Sequence, residues 1–290
     1  MCRMFGAVAT EPISARYELL ESSNPLIGQS EIHDSGWGIA AYREIGGEAP
    51  QLERFAVAAH SDKRFAAATD LQGRIFNVHV RRATFGGLST ENTHPFEFGP
   101  YSFSHNGTVL NYRSLLRRGM AEPCGETDSE CLFLRLMNEY NPNDPVRSMR
   151  GVIASVVAST TFSGLNFLFS DGLKLYAYRL GVFSLYWAVR PGVAMVASER
   201  LTNETWHCVQ QDVLLTLDPE HPEEPKAERL IGGMLLASAQ IQPLEPDPSL
   251  LGAERGEFAA RRALREAGQW AGRDSRLAAI DTGFDSAEPA

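Results

Sequence analysis

The sequence predicts an α+β domain with strands first, two helices in the middle and further strands after them. Short segments rich in aromatic and aliphatic residues occur on both sides of residues 127–157 and are separated by turns that are polar or contain Gly or Pro. The middle region instead has helix-capping residues and apolar residues spaced by three and four. Such blocks fit a layered α+β domain better than a doubly wound parallel sheet, in which strands and helices alternate.

The predicted strands fall into two groups. Those of the first half cover residues 36–43, 56–60, 75–82 and 101–105. Those of the second half cover residues 165–170, 173–179, 182–189, 193–198 and 213–217. The second group therefore predicts a second sheet.

Two helices are predicted between these groups. Thr127 and Glu130 form a Thr-x-x-Glu capping box ahead of an apolar segment, which predicts a helix that runs to about Tyr140. Asp144 can cap the next helix, and Pro145 suits its first turn. One face of this second helix is apolar, formed by Val146, Met149, Val152, Ile153, Val156 and Val157.

The carboxyl-terminal part of the chain predicts a separate region. Residues 242–248 are rich in proline and predict a linker. Residues 253–271 predict a basic amphipathic helix, which we expect to pack on its own domain or on a second copy of the chain. The sequence therefore leaves open whether the protein forms a homo-oligomer. The last residues are small and acidic and predict disorder. The predicted domain thus covers residues 1–240, and residues 241–290 are linker, helix and tail.

The composition predicts a soluble cytoplasmic protein that acts on a small molecule or a protein. The formal net charge of -9 over 290 residues opposes nonspecific binding to nucleic acid or to anionic membranes. The four cysteines form no disulfide framework, and no apolar run is long enough to span a bilayer. Because phosphate-loop and zinc-type spacings are also missing from the sequence, we expect no cofactor and no metal.

Cys2 combines two chemical functions once the initiator Met1 is removed, which its small side chain should permit. Its thiolate would be a strong nucleophile, and its α-amino group, with a pKa of roughly 7.7 to 8.0, could accept and return protons near neutral pH. No separate general base would then be needed. The structural alternative is that Cys2 is simply a small buried apolar residue.

Polar residues that core packing does not require are concentrated in four stretches, residues 79–87, 92–96, 104–108 and 125–130. Each has an ordinary structural alternative. Arg81 can be a solvated or salt-bridged side chain, and Asn106 with Gly107 can form a hairpin turn. Asp128 can serve only as a helix-capping residue, and His94 can be a loop histidine.

Taken together with Cys2, these stretches resemble the class II glutamine amidotransferases over roughly residues 2–235. The resemblance rests on motifs that recur in this order: Met-Cys-Arg-x-Phe-Gly at the start, Asp-Ser-Gly-Trp-Gly-Ile-Ala at 34–40, Asn-Thr-His-Pro-Phe at 92–96, His-Asn-Gly at 105–107, Gly-Glu-Thr-Asp-Ser-Glu at 125–130 and Ala-Ser-Glu at 197–199. It implies the four-layer αββα sandwich of the amino-terminal nucleophile hydrolases, with Cys2 at the start of a strand at the mouth of the site.

The resemblance also implies a role for each matching residue. Cys2 would attack the amide carbon, while the Asn106 side chain and the Gly107 backbone N–H would form the oxyanion hole. The Arg81 guanidinium would bind the α-carboxylate of the substrate, and Asp128 would pair with its α-ammonium group. Thr84 and His94 would line the pocket. Such a pocket would select glutamine or a γ-glutamyl amide.

Two departures leave the substrate and the acceptor open. Many synthase-linked members have Arg-Trp-Ala-Thr-His where this chain has Arg81, Arg82, Ala83, Thr84 and Phe85, so the pocket wall differs. Residues 236–290 are too few for a synthase domain that would use ammonia. We therefore predict an amidohydrolase that cleaves a γ-amide through a γ-glutamyl thioester and releases glutamate and ammonia or an amine. The alternatives are a glutaminase subunit that passes ammonia to a separate synthase and a noncatalytic subunit that binds a γ-glutamyl metabolite.

Overall fold

The computed structural model describes residues 2–243. The helix predicted at residues 253–271 and most of the predicted linker lie outside the described residues, so these remain predictions. The strands, numbered in chain order, are β1 (Arg3–Ser14), β2 (Gly36–Tyr42), β3 (Gln51–Phe55), β4 (Gln72–Arg81), β5 (Phe96–Phe98), β6 (Tyr101–Asn106), β7 (Thr161–Phe162), β8 (Asn166–Ser170), β9 (Leu175–Arg179), β10 (Tyr186–Arg190), β11 (Val193–Ala197), β12 (His207–Cys208), β13 (Val213–Leu217), β14 (Lys226–Arg229) and β15 (Gln240–Ile241).

Five α-helices accompany these strands in the described part of the chain. Short single turns of π or 3-10 helix add to them at Tyr17–Glu21, Ala59–Ser61 and Tyr112–Leu115. The α-helices are α1 (Leu26–Gln29), α2 (Lys63–Ala68), α3 (Asp128–Glu139), α4 (Pro145–Ser159) and α5 (Gly233–Ser238).

Two antiparallel sheets form the centre of the domain. The first sheet has the strand order β12-β10-β11-β1-β4-β2-β3, and the second has the order β14-β13-β9-β8-β6-β5. β1 is the central strand of the first sheet, between β11 and β4. A separate short pair, β7 and β15, is parallel.

The two sheets pack face to face, and one face of β1 lies in the contact between them. Met4 and Val8 of β1 lie in a buried cluster with residues of the second sheet, whereas Phe5 and Ala7 point to the opposite side, as the two-residue period of a strand requires. Gly6 lies in the contact between the sheets, because a Cβ atom there would come 2.7 Å from Cδ2 of Leu175. A side chain at this position would force the Leu175 side chain to move.

Helices cover the outer face of each sheet. α3 and α4 bury an apolar cluster against the second sheet, in which Leu132 and Val156 meet Phe103 and Phe167. The short helical segments between residues 17 and 68 cover the first sheet, where Leu19, Leu26 and Phe65 pack with Trp37 and Phe76. The layers therefore run helix, sheet, sheet, helix, and the predicted αββα sandwich is confirmed. No helix among residues 2–243 has the length and apolar character needed to cross a bilayer.

Both predicted helices and their caps are confirmed. The Thr127 side chain accepts a hydrogen bond from the Glu130 backbone N–H at 3.2 Å, and α3 ends at Glu139. The Asp144 side chain accepts one from the Arg147 backbone N–H at 3.2 Å, and α4 begins at Pro145. Local hydrogen bonds thus define both amino termini, which is why the sequence alone could predict them.

Three predicted strands need correction. The strand predicted at residues 56–60 is wrong: β3 ends at Phe55, because the partners of β2 are residues 51–55, and a helical turn at Ala59–Ser61 follows. The strand predicted from residue 173 begins only at Leu175, since the Asp171 carboxylate accepts hydrogen bonds from the Leu173 and Lys174 backbone N–H groups and holds a turn there. The strand predicted from residue 182 likewise begins later, at Tyr186.

Candidate active site

The candidate active site lies where three strand ends and one helix start come together. Cys2 directly precedes β1, Arg81 is the last residue of β4, Asn106 is the last residue of β6, and Asp128 is the first residue of α3. The Cys2 backbone nitrogen donates a hydrogen bond to Oδ1 of Asn106 at 3.0 Å. This contact joins the first sheet to the second at the proposed nucleophile.

The Cys2 thiol lies against the backbone of Arg82. Its Sγ is 3.5 Å from the Arg82 nitrogen and 3.5 Å from the Arg82 carbonyl oxygen. Burial raises the pKa of the Cys2 thiol, whereas the Arg82 N–H and the Arg81 guanidinium act to lower this pKa and Asp128 acts to raise it. Because the net shift is upward, a nucleophilic role for this thiol would require a nearby proton acceptor.

Asn106 and Gly107 follow each other at the end of β6, where Asn106 pairs with Asn166 of β8. Since Oδ1 of Asn106 faces the Cys2 nitrogen, the Nδ2 end of the amide is left as a donor for another group. Gly107 packs against the carbonyl group of Gly164, and a Cβ atom at Gly107 would collide with that oxygen. Glycine is therefore required here by close approach of two backbone segments.

The Arg81 side chain is buried and holds the loop that follows β4. Its guanidinium donates hydrogen bonds to the carbonyl oxygens of Gly87 at 3.0 Å, Phe85 at 2.8 Å and Gly86 at 3.3 Å. Burial lowers the pKa of Arg81, and the negative charges of Asp128 and Glu126 act in the opposite direction. Since a guanidinium has five N–H donors, these three bonds leave donor capacity for a substrate carboxylate.

Asp128 is buried at the amino terminus of α3. One carboxylate oxygen, Oδ2, accepts a hydrogen bond from the Val109 backbone N–H at 2.7 Å, and Oδ1 lies 3.5 Å from the Ser129 hydroxyl. Asp128 thereby ties the start of the helix to the segment that follows Gly107. The other two predicted pocket residues lie nearby in the chain: Thr84 is half-buried in the loop after β4, and His94 is buried before β5.

The comparison of the chain with protein families agrees with this geometry. The family model described as "Glutamine amidotransferases class-II" matches residues 1–191. The chain belongs to the class II glutamine amidotransferases. The matched span contains Cys2, Arg81, Asn106 and Asp128, so the residues that the fold brings together also lie within the family region.

Two individual relatives are each 30% identical to part of this chain. Uncharacterized protein MJ1515 of Methanocaldococcus jannaschii is 30% identical over 190 residues, which are 62% of this chain and 51% of that protein. YafJ of Escherichia coli, provisionally named a glutamine amidotransferase, is 30% identical over 206 residues, which are 66% of this chain and 76% of YafJ. The chain thus spans about half of the first relative and three quarters of the second.

Solved structures share the fold of this class II glutamine amidotransferase. A class II domain protein from Silicibacter pomeroyi superimposes with a TM-score of 0.56 at 23% identity, over 80% of this chain and all of that chain. The glutamine phosphoribosylpyrophosphate amidotransferase of Bacillus subtilis superimposes with a TM-score of 0.57 at 18% identity, over 80% of this chain and 50% of that one. At such identities the likeness concerns the fold.

Two further motif residues support the loops around the site of this amidotransferase: Asn92, to which the sequence assigned no role, and Glu130, which was predicted only as part of a capping box. Asn92 donates to the Gly87 carbonyl at 3.1 Å and accepts from the Glu126 backbone N–H at 2.7 Å. Glu130 accepts from the backbone N–H groups of Cys124 and Gly125. Asn92 thus connects the loop after β4 with the segment before α3, and Glu130 holds that segment against the first turn of α3. The place of Asn92 in a short polar motif was its only sequence signal.

No cluster suited to a metal ion stands out in this region. Within residues 2–243, no group of three or more His, Cys, Asp and Glu side chains is arranged to hold a metal. The expectation that neither a metal nor a cofactor takes part stays a prediction.

The histidines His79, His94 and His105 are buried, and we expect them to make the protein sensitive to acid. Burial lowers the pKa of His79 to about 3, that of His105 to about 4 and that of His94 well below its ordinary value. The His79 and His94 rings are 4.2 Å apart. In the unfolded chain these histidines have a pKa near 6.5, so the unfolded state binds more protons below that pH.

The free energy of unfolding should therefore fall as the pH is lowered from about 6.5 to 5, by up to about 1 kcal/mol per pH unit for each histidine that stays neutral in the folded protein. Urea unfolding at several pH values measures this slope. His105→Gln should reduce the slope relative to the wild type. An unaltered slope in His105→Gln would contradict the expectation.

Proposed function

We propose that this class II amidotransferase is a cysteine-nucleophile amidohydrolase that cleaves the γ-amide of glutamine or of a γ-glutamyl compound. The observation that supports the proposal best is the 3.0 Å hydrogen bond between the Cys2 nitrogen and Oδ1 of Asn106. It holds the nucleophile next to the residue whose remaining amide donors can stabilise an oxyanion. A cysteine that served only in packing would not need this link between the two sheets.

The first half of the proposed reaction forms a thioester. After removal of Met1, the Cys2 α-amino group takes the thiol proton, and the thiolate attacks the γ-carbonyl carbon. The Asn106 Nδ2 group and the Gly107 backbone N–H donate hydrogen bonds to the carbonyl oxygen as it becomes negative. The C–N bond then breaks, and the α-amino group returns the proton to the leaving nitrogen. Ammonia or an amine departs, and the glutamyl group stays on Sγ.

The second half releases glutamate. A water molecule gives a proton to the α-amino group and attacks the thioester carbon. The same two donors stabilise the second tetrahedral intermediate, the C–S bond breaks and the thiol regains its proton. The enzyme is thus restored with one water consumed for each amide cleaved.

Substrate selection in this proposal depends on the opposite charges of Arg81 and Asp128. Both side chains are buried, and their charges shift the pKa of the Cys2 thiol in opposite directions. A free α-carboxylate and a free α-ammonium group on the substrate would pair with them. A peptide in which both groups are blocked would offer Arg81 no carboxylate and Asp128 no ammonium group, so it should be a much poorer substrate.

The amine side of the scissile bond is less restricted in this proposal. Arg82, whose backbone lies against Sγ, is exposed, and Leu88 in the same loop is 64% exposed. Because the loop leaves these side chains in solvent, a leaving group larger than ammonia can be accommodated. The proposed substrates are therefore free glutamine and γ-glutamyl amides with a small amine or amino acid attached.

A substrate panel tests the proposal. Purified protein, shown by mass spectrometry to lack Met1, is given L-glutamine, γ-glutamylglycine or L-asparagine, and the free amino acid released is measured. We expect hydrolysis of at least one γ-glutamyl amide and at least about tenfold less of L-asparagine, whose shorter side chain cannot reach Cys2 while its α-groups are bound. An acid quench should trap protein heavier by one glutamyl group.

The outcomes separate the alternatives. A strong preference for γ-glutamylglycine would identify a γ-glutamyl peptide hydrolase, whereas a strong preference for glutamine would favour a glutaminase that supplies ammonia to a separate synthase. Binding of γ-glutamyl compounds without any turnover would show a noncatalytic binding subunit and refute the proposed reaction.

A further inference from the structure

We propose that His105 is a positioning residue that aligns the two halves of the site, the oxyanion donors on one side and Asp128 on the other. The proposal rests on the function proposed above. His105 immediately precedes Asn106 and Gly107 at the end of β6 and is 1% exposed. Its imidazole ring contacts the Ser129 side chain and the Gly164 backbone, which belong to the segments that hold the site residues.

The hydrogen bonds of the ring define its tautomer. Nε2 lies 3.1 Å from the Gly164 carbonyl oxygen, which can only accept, so Nε2 carries the proton. Nδ1 lies 2.9 Å from the Ser129 hydroxyl, and in this neutral tautomer it accepts a hydrogen bond from that hydroxyl. Because burial lowers the pKa of His105 to about 4, the ring keeps this neutral form near pH 7. Each end of the ring therefore has one directional contact.

The Nε2 contact acts on the oxyanion hole. The Gly164 carbonyl that receives it is also the group that packs against Gly107. The neighbouring Ser163 forms two hydrogen bonds with Thr108. Its hydroxyl oxygen accepts one from the Thr108 backbone N–H at 3.0 Å, and its backbone N–H donates one to the Thr108 carbonyl at 2.9 Å. Residues 163–164 thus clamp residues 107–108, and His105 sets the direction of the central carbonyl.

The Nδ1 contact acts on the substrate-binding carboxylate. Ser129, the donor to Nδ1, follows Asp128 in the first turn of α3. Asp128 in turn accepts the hydrogen bond from the Val109 backbone N–H. His105 and Val109 therefore hold the start of α3 at two points, and the bond from Ser129 to the ring limits how far Asp128 can shift.

A residue that only filled the core would not have two separable effects. Glutamine in place of His105 can retain a donor near the Nε2 position, and asparagine can retain a polar group near the Nδ1 position. If the two contacts serve different halves of the site, the two variants should fail differently. Loss of the Gly164 contact should reduce kcat, and loss of the Ser129 contact should raise KM.

Steady-state kinetics with the γ-glutamyl substrate tests this separation. We expect His105→Gln to raise KM roughly tenfold with kcat largely kept, and His105→Asn to lower kcat roughly tenfold with KM largely kept, each the effect of about one hydrogen bond. His221→Gln and His221→Asn, at an exposed position, are the matched controls. The proposal is wrong if both His105 variants change kcat and KM in the same proportion or change only thermal stability.

A second measurement needs neither activity nor a substitution at His105. Nitrogen-15 NMR of the wild-type imidazole should show the Nε2–H tautomer at pH 7, and Ser129→Ala should shift the Nδ1 resonance while leaving Nε2 protonated. An Nδ1–H tautomer, or no response to Ser129→Ala, would overturn the inference. A protein that hydrolyses no γ-glutamyl amide but shows the expected spectrum would refute the proposed function and leave the positioning contacts in place.

Discussion

Cys2→Ala should lower hydrolysis of γ-glutamyl amides by about 10⁴-fold or more, because removing the nucleophile eliminates the covalent route. Cys2→Ser should also be strongly impaired, since a hydroxyl is far less acidic than a thiol and the amino group beside it is a weak base for it. Glutamate release by the purified variants measures both effects. The fold should be unaffected, because the hydrogen bond to Asn106 is made by the backbone nitrogen of Cys2.

The matched control is Cys208→Ser, since Cys208 is a free, exposed cysteine in β12. It should retain wild-type activity. A glutamine-like electrophile should modify the wild type and Cys208→Ser at Cys2, and should leave Cys2→Ala unlabelled. Full hydrolysis by Cys2→Ala would exclude the thioester mechanism altogether.

Asn106→Asp should lower kcat by about 10² to 10³-fold with little change in KM. The aspartate is nearly the same shape and can still accept the hydrogen bond from the Cys2 nitrogen, but it lacks the Nδ2 donor and adds a negative charge where the oxyanion forms. Steady-state kinetics on the best γ-glutamyl substrate measures the change. The variant thus tests the Nδ2 donor of Asn106 separately from its Oδ1 acceptor.

Two controls accompany this variant. Asn143→Asp makes the same chemical change at an exposed position and should have wild-type kinetics. Alkylation of Cys2 by a small uncharged electrophile, which requires no oxyanion hole, should also proceed in Asn106→Asp. A kcat within tenfold of the wild type would show that Asn106 is not an oxyanion donor.

Much of the fold was predictable because its signals are local. The starts of α3 and α4 follow from side chains that bond to backbone groups three residues away. The apolar strands β8 and β13 were found for a similar reason. The prediction that the strands of the second half form one sheet was wrong, because β10 and β11 join β1 in the first sheet and β6 joins the second. β3 was misplaced because it is an edge strand of half-buried, mixed residues, and its position depends on pairing with β2 and not on its own pattern.

The candidate site was likewise predictable from the sequence only in part. Short motifs in the sequence identified the family and the candidate residues Cys2, Arg81, Asn106 and Asp128, because each motif lies within a few consecutive residues. Only the tertiary structure decided which groups meet. The bond from Cys2 to Asn106 spans 104 positions, and the bond from His105 to Gly164 spans 59. Contacts between residues so far apart in the chain depend on how two sheets and a helix pack, which no local pattern encodes.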